Sequence, residues 1–310
     1  MPELNSIVHI HRIGIVYNPF AGRLHGAGRE RLDAAVRVFL RAGHEVELFA
    51  TPGPNQAGMV AQNAISQGCD MILAAGGDGT INETVNGMVG SSVAFGILPG
   101  GTANVLATEI GLSIKLEVAA TQLLKAIPTP IALGAIDRPE QARRHFVLMA
   151  GVGLDARIVY GLDLDLKRKV GKLAYWHAGF GQLFKPVDHF AVSVASSRYE
   201  CSFVLATRVR NYGGDFEIAR RVRLTDDDFE IVIFHCEHWS ESLRFLAGVM
   251  FNRLEKARGV TVIRATELTL EASAKPVYLQ TDGEILGTLP ARVSIVPASL
   301  NFLLPIEYSR

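Results

Sequence analysis

The sequence predicts an α/β N-terminal domain with an open parallel sheet, followed by a β-rich, antiparallel, sandwich-like C-terminal domain. Three observations carry that reading. Strand and helix patterns alternate through the first third of the chain; each early strand ends in turn residues; and beyond Pro128 and Pro130 short strands dominate. The apolar run Arg12 to Tyr17 stops at Asn18-Pro19. Over 28–42, Leu32, Ala35, Val36, Phe39 and Leu40 recur at helical spacing and give one apolar face. Glu45 to Ala50 is a second strand closed by Thr51-Pro52-Gly53, and a helix through roughly 55–66 leads to the strand Met71 to Ala75. Ala94 to Leu98 is broken by Pro99-Gly100-Gly101, after which Thr102 is placed to cap a helix reaching Ile110. Repeated βα units make a parallel sheet whose ligand crevice lies at the C-terminal ends of its strands.

From about residue 130 the strands expected are 145–150, 189–195, 201–207, 229–234, 260–264, 267–272, 276–281 and 291–296, with helical stretches at about 167–184 and 239–256. Phe190, Val192 and Val194, like Leu268 and Leu270, alternate as half-buried antiparallel strands do. The division expected is 1–132 for a nucleotide-binding domain and 133–310 for a lipid-substrate domain, the last residues packing back on the first.

Over 310 residues, 31 acidic and 31 basic side chains balance, so no global field favours nucleic acid. Cys69, Cys201 and Cys236 lie in unrelated contexts and suit reduced thiols better than a disulfide framework. The N-terminus lacks a secretory pattern and no apolar run nears the ~18 residues of a membrane span. A soluble, cytoplasmic protein is expected.

The chemistry concentrates at Gly76-Gly77-Asp78-Gly79-Thr80. Its glycines let backbone N–H groups approach an anion. Thr80 and Glu83 stand at capping-box spacing, which is expected to start the next helix with its positive end facing the turn. A carboxylate in a phosphate cradle repels its ligand unless a divalent cation mediates, so Asp78 implies a nucleotide held with Mg²⁺. The plainer alternative is an ordinary turn with a structural Asp. No Walker-type loop, dinucleotide Gly-x-Gly-x-x-Gly or Gly-x-Ser-x-Gly elbow occurs. His235-Cys236-Glu237-His238 has no second ligand pair to complete a zinc site.

Six motifs stand in order over essentially the whole chain: NPFAG at 18–22, GGDGTINETVNG at 76–87, GILPGGTANVLA at 96–107, AGVGLDA at 150–156, NYGGDFEIA at 211–219 and TDGE at 281–284. Together they resemble the diacylglycerol-kinase catalytic-domain family of lipid kinases, whose relatives include sphingosine and ceramide kinases. GGDGT alone is shared with NAD kinases; the set is far more specific. The resemblance implies a NAD kinase/diacylglycerol kinase-like fold and transfer of the γ-phosphate of ATP, with Mg²⁺, to a lipid hydroxyl. It implies that Gly76, Gly77, Asp78, Gly79, Thr80, Ile81 and Asn82 hold the phosphates, with Asn18, Thr51 and Thr102 contributing from neighbouring strand ends. Asp78 would act through the bridging Mg²⁺, Asp155 would help organise the site, and Glu284 would be the general base. Such transfer needs positioning and charge neutralisation more than covalent help.

Two departures stand out. Relatives often read Gly-Thr-x-Asn-Asp where this chain has Val105 in the last place, and Thr108 replaces a frequent Arg. That weakens diacylglycerol as the acceptor, although sphingosine-type relatives also lack the acid. At Leu224-Thr225-Asp226-Asp227-Asp228, bacterial relatives carry Asp-Gly and bind a structural Mg²⁺. Asp226 aligns with that acid and Asp227 replaces the Gly; a metal at Asp226 and a solvated acidic turn both stay open.

The basic run at 167–172, followed by Leu173, Tyr175, Trp176, Phe180, Leu183 and Phe184, suits peripheral contact with an anionic membrane surface, each basic side chain contributing about 1 kcal/mol. It suits a core helix equally. The partners expected are thus a lipid substrate and a bilayer surface but no nucleic acid, with a homodimer left open. The other functions to weigh are a NAD kinase and a catalytically weak lipid-binding pseudokinase.

Overall fold

The computed structural model describes residues 10–26, 28–153, 188–212, 216–237, 241, 248, 254 and 257–309. The first half follows the predicted alternation: β1 (Arg12–Tyr17), α1 (Gly28–Arg41), β2 (Glu45–Ala50), α2 (Ala57–Ser66), β3 (Met71–Gly76), α3 (Asp78–Met88) and β4 (Ala94–Pro99). The strands are parallel in the order β2-β1-β3-β4, so all four end on one rim. β3 and β4 are buried along their whole lengths, as apolar strands covered on both faces must be. Helix α1 buries Leu32, Ala35 and Phe39 from its predicted face.

Short helices α4 (Val105–Glu109) and α5 (Leu116–Leu123) lead to β5 (Ile127–Asp137), β6 (Arg144–Phe146) and β7 (Met149–Gly153). The prolines that suggested a break at 128–130 instead lie inside β5, where that strand has β18 alone as neighbour. With a residue between them, both take the same side of the strand, and a strand with one neighbour can leave that side without donors.

The remaining strands are β8 (Phe190–Val194), β9 (Ser197–Cys201), β10 (Phe203–Thr207), β11 (Asn211–Tyr212), β12 (Phe216–Glu217), β13 (Phe229–Phe234), β14 (Val260–Ala265), β15 (Glu267–Leu270), β16 (Tyr278–Thr281), β17 (Glu284–Thr288) and β18 (Ala291–Leu304), followed by α6 (Ile306–Ser309). Strand β18 is the link between the halves: it runs parallel to β4 and antiparallel to β5 and β15, extending the parallel sheet into β15, β8 and β9. A second, antiparallel sheet has the order β14-β13-β10-β7-β16-β17. Phe190, Val192, Leu268, Leu270 and Val293 from the first sheet share a core with Val204, Phe229, Ile231 and Leu279 from the second. This is the sandwich the alternating strands predict. The expected helix at 167–184 lies outside the described residues, as does that at 239–256 apart from Glu241, Gly248 and Leu254.

Cys69, Cys201 and Cys236 are buried thiols, none of them in a disulfide, and burial pushes the Cys201 thiol up to about 12.

Candidate active site

Backbone hydrogen bonds draw three strand ends of the parallel sheet together. Asn18 N–H donates to Ala75 O at 3.0 Å, Gly100 N–H to Gly76 O at 2.7 Å, and Arg23 N–H to Gly100 O at 3.0 Å. The Asn18 amide faces the Thr80 hydroxyl at 3.4 Å. The loops after β3 and β4 touch backbone to backbone: a Cβ on Gly101 would lie 2.5 Å from Gly77 Cα, and one on Gly100 3.2 Å from Gly76 Cα. No side chain fits between them, which is why both loops carry glycine pairs. Thr51 ends β2, two strands from β3, and its N–H donates to Tyr17 O at 2.9 Å. Thr102 is exposed.

Both predicted caps are corrected. Gly77, not Thr80, is the N-cap of α3, and Asp78 stands in its first turn. Thr80 is already two residues into the helix, buried beneath the glycine turn, where a Cβ on Gly76 would meet its side chain at 2.7 Å. Glu83 reaches across to accept from Ala57 N–H at 3.0 Å and so caps α2. Nor does Thr102 cap α4; left-handed Asn104 does, and its side chain bonds both N–H and O of Gly101 at 2.8 and 2.9 Å. A short polar side chain tolerates the left-handed region and closes the turn locally.

Helix α3 also faces the second half of the chain. Asn82, 2% exposed, donates from Nδ2 to Asp282 Oδ2 at 2.8 Å and to His145 O at 3.2 Å. Asn86 exchanges bonds with His145 backbone N and O, both at 2.9 Å. Asp282 sits in the left-handed region at φ 48°, before Gly283, and its carboxylate also accepts from the N–H groups of Val147, Leu148 and Met149 at 2.9, 2.9 and 3.0 Å. Burial pushes this carboxyl above its ordinary range, against the pull of those donors. The turn Asp282-Gly283 thereby pins the β6–β7 connection to α3.

Glu284 follows that turn and comes to the glycine rim. A Cβ on Gly79 would lie 2.9 Å from Glu284 Oε1, so the carboxylate rests against the start of α3. Arg144 Nη2 donates to Glu284 Oε2 at 3.3 Å and to Asn82 Oδ1 at 3.0 Å. The structure thus unites Asp78, Gly79, Asn82 and Glu284, drawn from opposite ends of the sequence. Ile81 is buried in the core, and the Asn82 amide is committed to Asp282 and His145. Asp155 lies outside the described residues. Asp226 pairs its carboxylate with Arg264 at 2.7 Å, and no group of three or more His, Cys, Asp or Glu side chains that could hold a metal occurs among the described residues.

Arg144, His145 and Asp282 were not singled out from the sequence. Only Asp282 had a signal, its place in the TDGE motif beside Glu284.

Residues 12–136 match the diacylglycerol kinase catalytic domain, and residues 149–304 the YegS C-terminal NAD kinase beta sandwich-like domain. The chain belongs to the diacylglycerol kinase catalytic-domain family. It is 27% identical over 302 residues to a diacylglycerol kinase of Bacillus subtilis (strain 168), covering 96% of this chain and 97% of that protein. Against a diacylglycerol kinase of Mycobacterium tuberculosis (strain H37Rv) it is 26% identical over 303 residues, covering 95% and 96%. The crystal structure of a diacylglycerol kinase from Bacillus anthracis str. Sterne superposes with a TM-score of 0.77 at 20% identity, covering 96% of this chain and 98% of that one. At that identity the likeness is one of fold. Membership of the family supports a lipid kinase.

Proposed function

We propose that this kinase transfers the γ-phosphate of ATP, with Mg²⁺, to the hydroxyl of a diacylglycerol, a sphingoid base or a related lipid. The observation that carries the reading is the contact of Glu284 with Gly79, which brings a carboxylate from the β-rich half against the glycine turn. On this reading the N–H groups of Gly76 to Thr80, at the positive end of α3, hold phosphate together with Asn18, Thr51 and Thr102, while Ile81, buried with its N–H bonded to Gly77 O, and Asn82, committed to Asp282, support the turn from within the helix. The donor set suits the group: amides for phosphate oxygens and the oxygen-only Asp78 carboxylate for a hard divalent ion. That ion, when bound, supplies charge neutralisation. Glu284 takes the proton from the acceptor hydroxyl. Arg144 is a positioning residue, its Nη2 bridging the Glu284 carboxylate to the Asn82 side-chain oxygen. A role for Asp155 rests on the AGVGLDA motif alone. The acyl chain would enter from the β-rich half, with the basic and aromatic segment 167–184 meeting the cytoplasmic face of the bilayer.

The test is incubation with labelled ATP, Mg²⁺ and a total lipid extract, NAD⁺ being offered in parallel, with products identified by mass spectrometry. A labelled lipid is expected, and Glu284→Gln should lower kcat by about 10²–10⁴-fold with ATP binding little changed. Label in NAD⁺ alone, or ATP consumption that lipid does not raise, overturns the reading.

A further inference from the structure

The acidic turn at 224–228 is where the family resemblance implies a structural Mg²⁺, and the side chains around it do not suit one. Arg208 follows β10 and is 0% exposed, the largest fully buried side chain among the described residues. Its Nη2 donates to Leu224 O at 2.7 Å and to Asp226 O at 3.2 Å, while Nε and Nη1 make no hydrogen bond. On the other side, Arg264 of β14 donates to Asp226 Oδ2 at 2.7 Å and to Asp228 Oδ2 at 2.9 Å, and also bonds Asp228 Oδ1. The Asp226 carboxylate takes in addition the N–H of Arg223 at 3.0 Å. The oxygens that a hard cation would need are therefore held by two guanidinium groups.

We propose that Arg208 and Arg264 together replace the structural metal of this turn with a permanent, chain-borne pair of charges, so that the fold is independent of divalent ions. Mg²⁺ demands near-octahedral oxygen coordination at about 2.0–2.1 Å. To reach the Leu224 and Asp226 carbonyls it would have to displace a buried arginine from the acceptors it holds, and it would stand beside a second positive charge. Burial lowers the Arg208 guanidinium to about 10, which still leaves it charged at neutral pH. The clamp reaches beyond its own turn. Leu224 N–H donates to the Tyr308 hydroxyl at 2.9 Å, and that hydroxyl donates to Glu109 of α4 at 2.9 Å. Arg210 holds the same Glu109 through its backbone N–H at 3.0 Å. The turn thus braces α4, which follows directly on the second glycine loop.

The inference does not depend on the kinase reading, and its test uses no substrate. Melting of nucleotide-free full-length protein is followed in Mg²⁺ and in EDTA, for the wild type and for Asp78→Asn, which removes ion binding at the rim. A site filled at a hundredfold excess over its dissociation constant would lift Tm by roughly 5 °C. The expected difference between the two conditions is below about 1 °C in both proteins. A fall on chelation shared by both overturns the proposal. Arg264→Met, at an exposed position on the edge strand β14 where the chain should still fold, should lower Tm equally in Mg²⁺ and EDTA; an unchanged Tm would show that the arginine carries nothing and overturns the proposal as well. Arg264→Lys, which keeps the charge, is expected to recover part of the loss.

Discussion

Two Asp-Gly pairs meet at helix α3, one forming its first turn and the other bonded to its Asn82, and the chain uses the same dipeptide for opposite ends. Asp282 is buried, left-handed, and accepts three backbone N–H groups and the Asn82 amide. Asp78 is half-buried in the first turn of α3, within a loop whose glycines press against a second glycine loop. The first carboxylate is spent on architecture; the second stands at the rim where strand ends converge. An acid's role is therefore set by what its neighbours donate, and not by the motif letters around it.

Isosteric changes separate the two. Asp78→Asn should abolish lipid phosphorylation, a loss of at least about 10³-fold if the acid carries the metal ion, with Tm close to wild type. Asp282→Asn puts an amide N–H₂ where donors already point and leaves buried N–H groups without an acceptor. It should cost about 3 kcal/mol, or roughly 5 °C in Tm. Thermal melts and turnover per folded molecule, measured on both variants, check the pair. If Asp78→Asn melts early while Asp282→Asn is stable, the contrast is reversed and the assignment fails.

Much of this was legible in the sequence, for identifiable reasons. Runs such as Arg12–Tyr17 and Met71–Gly76 are continuous apolar strands bounded by turn residues, so β1 to β4 and their rim followed from local signals. The long reach of β18 did not. Pro297 and left-handed Ala298 interrupt it at the register shift between Val296 and Leu300, and only pairing with β4 and β5 shows one strand. The capping box failed because Thr80 and Glu83 satisfy tertiary partners, Glu83 serving the Ala57 N–H of another helix. Spacing alone cannot reveal that. Glu284 was read through its motif. Arg144, by contrast, is an unremarked basic residue on a three-residue strand, and becomes legible only once its two acceptors are in space.

Arg144 sharpens the contrast on the catalytic side. It joins the architectural residue Asn82 to the proposed base Glu284, with its own side chain 30% exposed. Arg144→Met should lower kcat by about 10–100-fold and leave KM for ATP near wild type, because what it removes is orientation at the acceptor end. Arg144→Lys should recover part of kcat, and Tm should move little in either variant. A rise in KM for ATP with kcat unchanged would place Arg144 on the nucleotide instead.

The smallest effect expected is a pH dependence of the architectural side. His145, whose backbone holds Asn82 and Asn86, has its imidazole pushed below the ordinary histidine range, by burial first and then by the Arg143 charge, with Asp137 opposing. A histidine depressed in the folded state favours the neutral fold. Its contribution is therefore complete above the unfolded value of about 6.5 and is lost as pH falls through the lower, folded one. Wild-type Tm should decline as pH falls below about 6.5 more steeply than that of His145→Gln, whose side chain stays neutral throughout. Parallel curves would remove His145 as the source. Because Asn82 bonds Arg144 as well as Asp282, loosening of this contact reaches the Glu284 carboxylate, and kcat should begin to fall with acid in the same window.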